Sequence, residues 1–176
     1  SARLVRAKLI STNLTGVNLR GANLNDAKLN GAALIAADLS QAPHEISFSG
    51  PVNSASTRIG GLVIRPTILN RAIFFRADLR NANLTGAHLE KANLKDVNLS
   101  GTNLEQSNLN GSELNGSDLS HANLSYANLS GTNLSDVDFR EAKLTHSNLK
   151  NSIILGTDLR TVKGLAIEQL LGEESA

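Results

Sequence analysis

Four histidines, His44, His88, His121 and His146, are the side chains best suited to metal or acid–base chemistry. No two stand at the spacing of a local metal pair, and no His-Glu helix motif accompanies them. Cysteine is absent, which removes disulfides, zinc–thiolate sites and a thiol nucleophile. There is no Gly-x-Ser-x-Gly elbow, and Gly60-Gly61 alone is too little for a phosphate-cradling loop. The remaining constellation is Asp-x-Arg, as Asp78 with Arg80, Asp138 with Arg140 and Asp158 with Arg160. A carboxylate two residues before a guanidinium suits ion pairing or recognition rather than bond-making. No catalytic, metal or cofactor site is expected, and the chain reads as no enzyme.

The elements that must carry these residues are set by a period of five. Leu occupies every fifth position from Leu4 to Leu39, and the spacing resumes at Phe74 and runs to Leu159. That is 8 + 18 = 26 repeats, with Leu central in all but Phe74, Phe139 and Ile154. Two residues before each central residue sits Ala, Val, Thr or Ser. Nine of the 14 glycines lie two residues after one.

A step of five fits neither regular element. On an α-helix it turns the side chain by roughly 500°, which smears Leu around every face. On a flat strand an odd step alternates faces. Either would expose Leu side chains at about 1.5–3 kcal/mol each. A coil that turns one corner per repeat points every central residue inward, and Gly suits such corners. The prediction is therefore an all-β solenoid stabilised by nearest-neighbour stacking. Its core ladder includes Leu24, Phe74, Leu84, Leu104, Leu109, Leu124 and Phe139. The spacing alone allows coils of three or four sides. The inward residues Thr102, Ser107, Ser112 and Ser117 would line one coil with hydroxyls that need backbone partners.

The motif stands as Ala22-Asn23-Leu24-Asn25-Asp26, Ala77-Asp78-Leu79-Arg80-Asn81 and Ala82-Asn83-Leu84-Thr85-Gly86. It resembles the pentapeptide-repeat family, above all its cyanobacterial members, and the repeats cover 130 of 176 residues. The resemblance implies a right-handed quadrilateral β-helix with four repeats per coil. The rod would then have about six and a half coils and a length of roughly 31 Å at the strand spacing. Residues 20 apart would stack, placing Asp78, Asp118, Asp138 and Asp158 in one column beside Arg80, Arg140 and Arg160, a candidate charged face. Asn83, Asn103 and Asn123 would stack likewise, as would Asn108, Asn128 and Asn148.

Two stretches depart from the pattern, giving a β-helix over 1–161 interrupted at 43–63, a helix at 162–172 and a tail at 173–176. Residues 43–63 hold two prolines, three glycines and a Ser-rich centre, and read as a loop excursion. Long loops in compact domains often carry function, so His44, Glu45, Ile46, Phe48 and Arg58 form a candidate interaction loop. Ile64 and Leu69 keep the phase of the ladder. If Ile64 resumes the coil, the excursion is one whole coil and the faces keep their numbering. After Thr161 the period lapses, and Leu165 to Leu171 read as a two-turn capping helix ended by Gly172.

Composition bounds the function. The 17 basic residues oppose 16 acidic ones, for a net charge of +1. This argues against broad attraction to nucleic acid or anionic membrane, although Arg3, Arg6 and Lys8 make the first coil basic. No apolar run approaches the ~20 residues of a membrane span. The chain begins at Ser1 with no signal peptide in view, so a cytoplasmic setting is favoured, or a lumenal or periplasmic one if a signal has been removed. The leading expectation is a non-catalytic scaffold for a protein partner, monomeric or dimeric through its C-terminal end. The alternative, which the resemblance permits, is a DNA mimic that binds DNA gyrase; the balanced charge speaks against it.

Overall fold

The computed structural model describes residues 2–20, 22–34, 37–39, 42–44, 57–59, 62–65, 67–166 and 168–171, with backbone only at 42–44, 57–59, 62–65 and 171. Parallel bridges join residues 20 apart, as in Asn103↔Asn123, Asn108↔Asn128 and Glu113↔Asn133. Twenty residues are four pentapeptides, so each coil has four sides. Each bridge is a pair of hydrogen bonds: Leu104 N–H donates to Asn123 O at 2.7 Å, and Asn123 N–H donates to Thr102 O at 3.0 Å. The chain is thus a β-helix in which each side is one short strand segment.

Each corner is a β-turn. Ala27 N–H donates to Leu24 O at 3.0 Å, and the same bond recurs as Ala82 to Leu79 and Ala127 to Leu124. From Arg6 to Gly156, each described residue two after the central one has positive φ, from 52° at Ser11 to 74° at Gly156. Only a type II turn asks for positive φ at that place alone. Glycine meets the demand without strain, yet 15 of the 23 such corners (15 non-glycine, 8 glycine) carry another residue, including Lys91, His121, Tyr126 and His146. Cooperative stacking holds these side chains in a conformation that costs roughly 1–2 kcal/mol each.

The core is the inward half of every repeat. Leu24, Phe74, Leu84, Leu104, Leu109, Leu124 and Phe139 are all buried, with Ala or a small residue beside each. The inward hydroxyls are served by carbonyls at the corners. Thr102 Oγ1 donates to Leu79 O at 2.9 Å, Ser107 Oγ to Leu104 O at 2.7 Å and Ser117 Oγ to Leu94 O at 2.6 Å. Ser112 Oγ has no such partner.

The excursion is built differently from the expected loop. Three short strands, β1 (Ala42–His44), β2 (Thr57–Ile59) and β3 (Leu62–Arg65), form an antiparallel sheet in the order β1-β3-β2. Ile64 pairs with Pro43 on one side and Thr57 on the other, so it belongs to this sheet and not to the ladder. Ile59 pairs with Leu62 where β2 meets β3. The coil resumes with Thr67 and Leu69, both fully buried.

Across the excursion the bridges are Asn23↔Ile68, Lys28↔Ile73, Ala33↔Asp78 and Asp38↔Asn83. The offset is 45 rather than 20, so 45 − 20 = 25 residues are inserted. Twenty-five is five pentapeptides but not a whole number of coils. Phase is kept, while each later residue falls one face back from the whole-coil expectation, so that Leu69 lies on the first face rather than the second. The first face therefore runs through Leu4, Leu24, Leu69, Leu89, Leu109, Leu129 and Leu149. The second runs from Leu9 through Leu29 and Phe74, the third from Leu14 through Leu34 and Leu79, and the fourth from Leu19 through Leu39 and Leu84.

The C-terminal helix is shorter than the expected two turns. α1 spans Glu168–Leu171, a single turn. Leu165 and Leu170 pack partly buried against the core, and Gln169 Nε2 donates to Leu144 O and to Ser147 O. Leu149 N–H donates to Gln169 O at 2.9 Å, where elsewhere a next coil would accept.

Candidate interaction surface

With Leu and small residues inward, the polar side chains of the described coils outside the hydroxyl positions are carried on the faces and corners. The Asp or Asn just before the central residue has a local task. Its side-chain oxygen accepts the N–H two residues on, as Asn103 does from Glu105 at 3.1 Å and Asn98 from Ser100 at 3.1 Å. This is an Asx turn, and it explains why the position is so rich in Asp and Asn. The amides also bond between coils. Asn128 Nδ2 donates to Asn108 Oδ1 at 3.1 Å, and Asn123 Nδ2 to Asn103 Oδ1 at 3.3 Å.

Asp78, Asp118 and Asp138 share the third face, with bridges Asp78↔Asn98↔Asp118↔Asp138, and the repeat of Asp158 follows, its Thr157 Oγ1 accepting from Val137 N–H. Each Asp does the same Asx work: Arg80 N–H donates to Asp78, Ser120 N–H to Asp118, Arg140 N–H to Asp138 and Arg160 N–H to Asp158. The arginines then fold back on the same carboxylates. Nη2 to Oδ2 is 2.8 Å for Arg80–Asp78, 2.6 Å for Arg140–Asp138 and 2.7 Å for Arg160–Asp158. The guanidinium hydrogen bonds hold the carboxyls of Asp78 and Asp138 below the usual range, and that of Asp158 at about 2. Like-charge repulsion along this column is thus offset within the three Asp-x-Arg repeats, while Asp118, followed by Ser120, carries no ion pair of its own.

The three histidines of the coils, His88, His121 and His146, do not converge. His88 Nδ1 lies 3.6 Å from Glu90. His146 stacks on Tyr126 at a corner, ring centroids 5.0 Å apart, and His121 occupies a different corner. No group of three His, Asp or Glu able to hold a metal occurs among the described residues. In the excursion, His44 and Arg58 lie on one row of the sheet, each opposite Val63. Glu45, Ile46 and Phe48 lie outside the described residues.

The structure adds a feature that sequence reasoning saw only at its start. On the first and second faces and their shared edge, the first four coils carry Arg3, Arg6, Lys8, Lys28, Arg71 and Lys91. The carboxylates among them are Asp26, which Arg71 Nε binds at 2.7 Å, and Glu90 beside His88. The signal lay in Arg3, Arg6 and Lys8, but the alignment of Lys28 and Lys91 with them depends on the length of the excursion.

Comparison with known proteins accords with this geometry. The pentapeptide repeats profile matches residues 2–41, 72–111 and 112–151 in 8 copies. No curated protein sequence matches the chain. Among solved structures, HetL, a pentapeptide-repeat protein involved in heterocyst differentiation regulation in the cyanobacterium Nostoc sp. strain PCC 7120, is 25% identical. The match covers 92% of this chain and 71% of HetL, with a TM-score of 0.66. The Nostoc protein alr5209 is 32% identical over 52% of this chain and 83% of its own, with a TM-score of 0.44. QnrB1, a plasmid-mediated fluoroquinolone resistance protein, is 20% identical over 94% of this chain and 85% of its own, at 0.35. With the period, the four-sided coil and the profile in agreement over most of its length, the chain belongs to the pentapeptide-repeat family.

Proposed function

We propose that the protein is a non-catalytic scaffold that binds a protein partner on the outer surface of its rod. The observation that carries this reading is the packed interior: each coil is filled by side chains, so chemistry-bearing groups stand apart on flat faces and convex corners. Catalysis asks such groups to converge in a concave site. HetL, which overlays on most of the chain, is involved in heterocyst differentiation regulation; a regulatory role exercised by binding is the reading extended to this chain. The DNA-mimic alternative asks for acidic columns, and here arginines pair with three of the four Asp in the column that has most. Cross-linked affinity capture in the native organism, with the intact chain and with a chain lacking the excursion, tests the scaffold. A reproducible protein partner is expected. Failure to retain one, or a measured turnover of any small molecule, would overturn it.

We also propose that the segment from Val162 to Leu171 closes the C-terminal end of the core. Gln169 takes up bonding positions that a further coil would fill, and Leu165 and Leu170 cover the apolar end. An uncovered end leaves strand edges unpaired and invites association. Truncation after Thr161 should lower the melting temperature and produce oligomers in size-exclusion chromatography. A truncated chain that stays monomeric with an unchanged melt would sink the assignment, and a native dimer that became monomeric would make the segment an interface.

A further inference from the structure

The charges of this molecule are sorted, although their sum is close to zero. Among the described residues eight Lys or Arg side chains form no ion pair: Lys143 and Lys150 near the C-terminal end, and Arg3, Arg6, Lys8, Lys28, Arg76 and Lys91 in the first four coils. Five of these six lie on the first and second faces along their shared edge. Arg76, at the far edge of the second face, lies over the ring of Phe75 at 4.8 Å. Carboxylates without an ion pair, by contrast, stand off that shared edge: Asp96 at the far edge of the second face and Glu105 on the fourth face, both in the fourth coil, and Asp118, Asp136 and Glu168 further along the rod.

Apolar side chains interleave with the cations. Val5 and Ile10 are 43% and 52% exposed, and Ile73 and Phe75 are half-buried on the second face. The corner column Arg6, Asp26, Arg71 and Lys91 spans three coil spacings, about 14 Å. That length matches four or five residues of an extended peptide at about 3.3 Å each. It is less than half of the roughly 34 Å turn of duplex DNA. A phosphate backbone also has nothing to set against Val5, Ile10 and Phe75. A segment alternating carboxylates with apolar side chains satisfies both sets of groups.

We infer that this strip is a docking surface for a short, extended, acidic and partly apolar segment of a partner protein. The inference rests on the scaffold reading and deepens it by naming the surface and the chemistry of its partner. The strip engages the segment through Arg3, Arg6, Lys8, Lys28 and Lys91, while the Asp26–Arg71 pair divides the row of cations.

The test uses the full chain and a fluorescently labelled peptide of alternating Glu and Leu, read by anisotropy. The wild type should bind it, more weakly as salt rises. Lys8→Glu, Lys28→Glu and Lys91→Glu combined should weaken binding about tenfold or more, and the corresponding Gln variants should weaken it less. Lys143→Glu with Lys150→Glu, the unpaired cations off the strip, should stay within about twofold of wild type. Circular dichroism establishes that each variant is folded. Equal losses in the two sets of variants would overturn the inference. So would tighter binding of duplex DNA, or of phosphatidylserine vesicles, than of the peptide. If the wild type ignores the peptide yet retains a partner by cross-linking, the strip is wrong and the scaffold stands; if both measurements fail, both fall.

Discussion

Leu109 sits mid-rod with none of its side chain in solvent. Leu109→Ala should cost about 2–5 kcal/mol in chemical denaturation, the loss of transfer energy plus a cavity. Leu109→Asp should abolish folding of the adjoining coils, because no water or cation reaches that position; a cooperative, wild-type-like melt would contradict a filled core. The surface charges behave differently. Asp158 accepts from the Arg160 guanidinium and backbone, which takes its carboxyl to about 2. A carboxyl whose folded pKa is depressed contributes stability above its unfolded value, near 3.9. That contribution is lost as pH falls towards about 2. An NMR titration should show Asp158 as the late titrating carboxyl, and Arg160→Gln should move its midpoint up towards the ordinary range. An unmoved midpoint would mean that the backbone N–H alone holds it down.

The excursion can be removed in two ways that look alike in sequence. Joining Ala42 to Val63 deletes 20 residues and keeps the five-residue phase, but it puts Ile64 where Leu69 belongs and advances each later face by one. Joining Gln41 to Thr67 deletes 25 residues and keeps both phase and faces, because the native bridge Asn23↔Ile68 then spans an ordinary coil. Both chains should retain β-rich circular dichroism, since shortening a surface connection changes closure entropy only slightly. They should differ at Asp26, whose carboxyl is held low chiefly by its hydrogen bonds from Arg71. In the 25-residue deletion, Arg71→Gln should raise the Asp26 midpoint; in the 20-residue deletion it should do nothing, because Arg71 no longer stacks there. Equal behaviour of the two would argue against the register across the excursion.

Across the whole rod, stability is a sum over neighbouring coils, and recognition is a matter of where charge is left unneutralised. Ion pairs take up three of the four Asp on the third face, amide ladders line parts of the first and fourth, and open cations gather on the first and second faces of the early coils. Such a surface has little in common with the uniform negative charge of DNA. In a gyrase supercoiling assay the protein should therefore leave activity unchanged at micromolar concentrations. Inhibition that a charge-reversal of Asp118 and Asp138 relieved would restore the mimicry reading.

The period of five was decisive for the solenoid because no helix or flat strand buries a Leu at every fifth place, and the ladder from Leu4 to Leu39 and from Phe74 to Leu159 follows from that geometry alone. The Asx role of Asn103 or Asp78 was not legible, because the repeat shows the residue type but not the N–H it accepts. Nor was the charged strip. Ile64 keeps the phase of the ladder as well as Leu69 does, so apolar spacing cannot say which of them returns to the coil. Strand pairing decides it: Ile64 finds partners in Pro43 and Thr57, and Leu69 takes the buried place above Leu24. From that choice follow the 25-residue insertion, the meeting of Asp26 with Arg71, and the alignment of Lys91 with Arg6. A one-dimensional pattern conveys phase modulo five, whereas the face a residue occupies depends on phase modulo twenty, and only the stacked coils carry that second count.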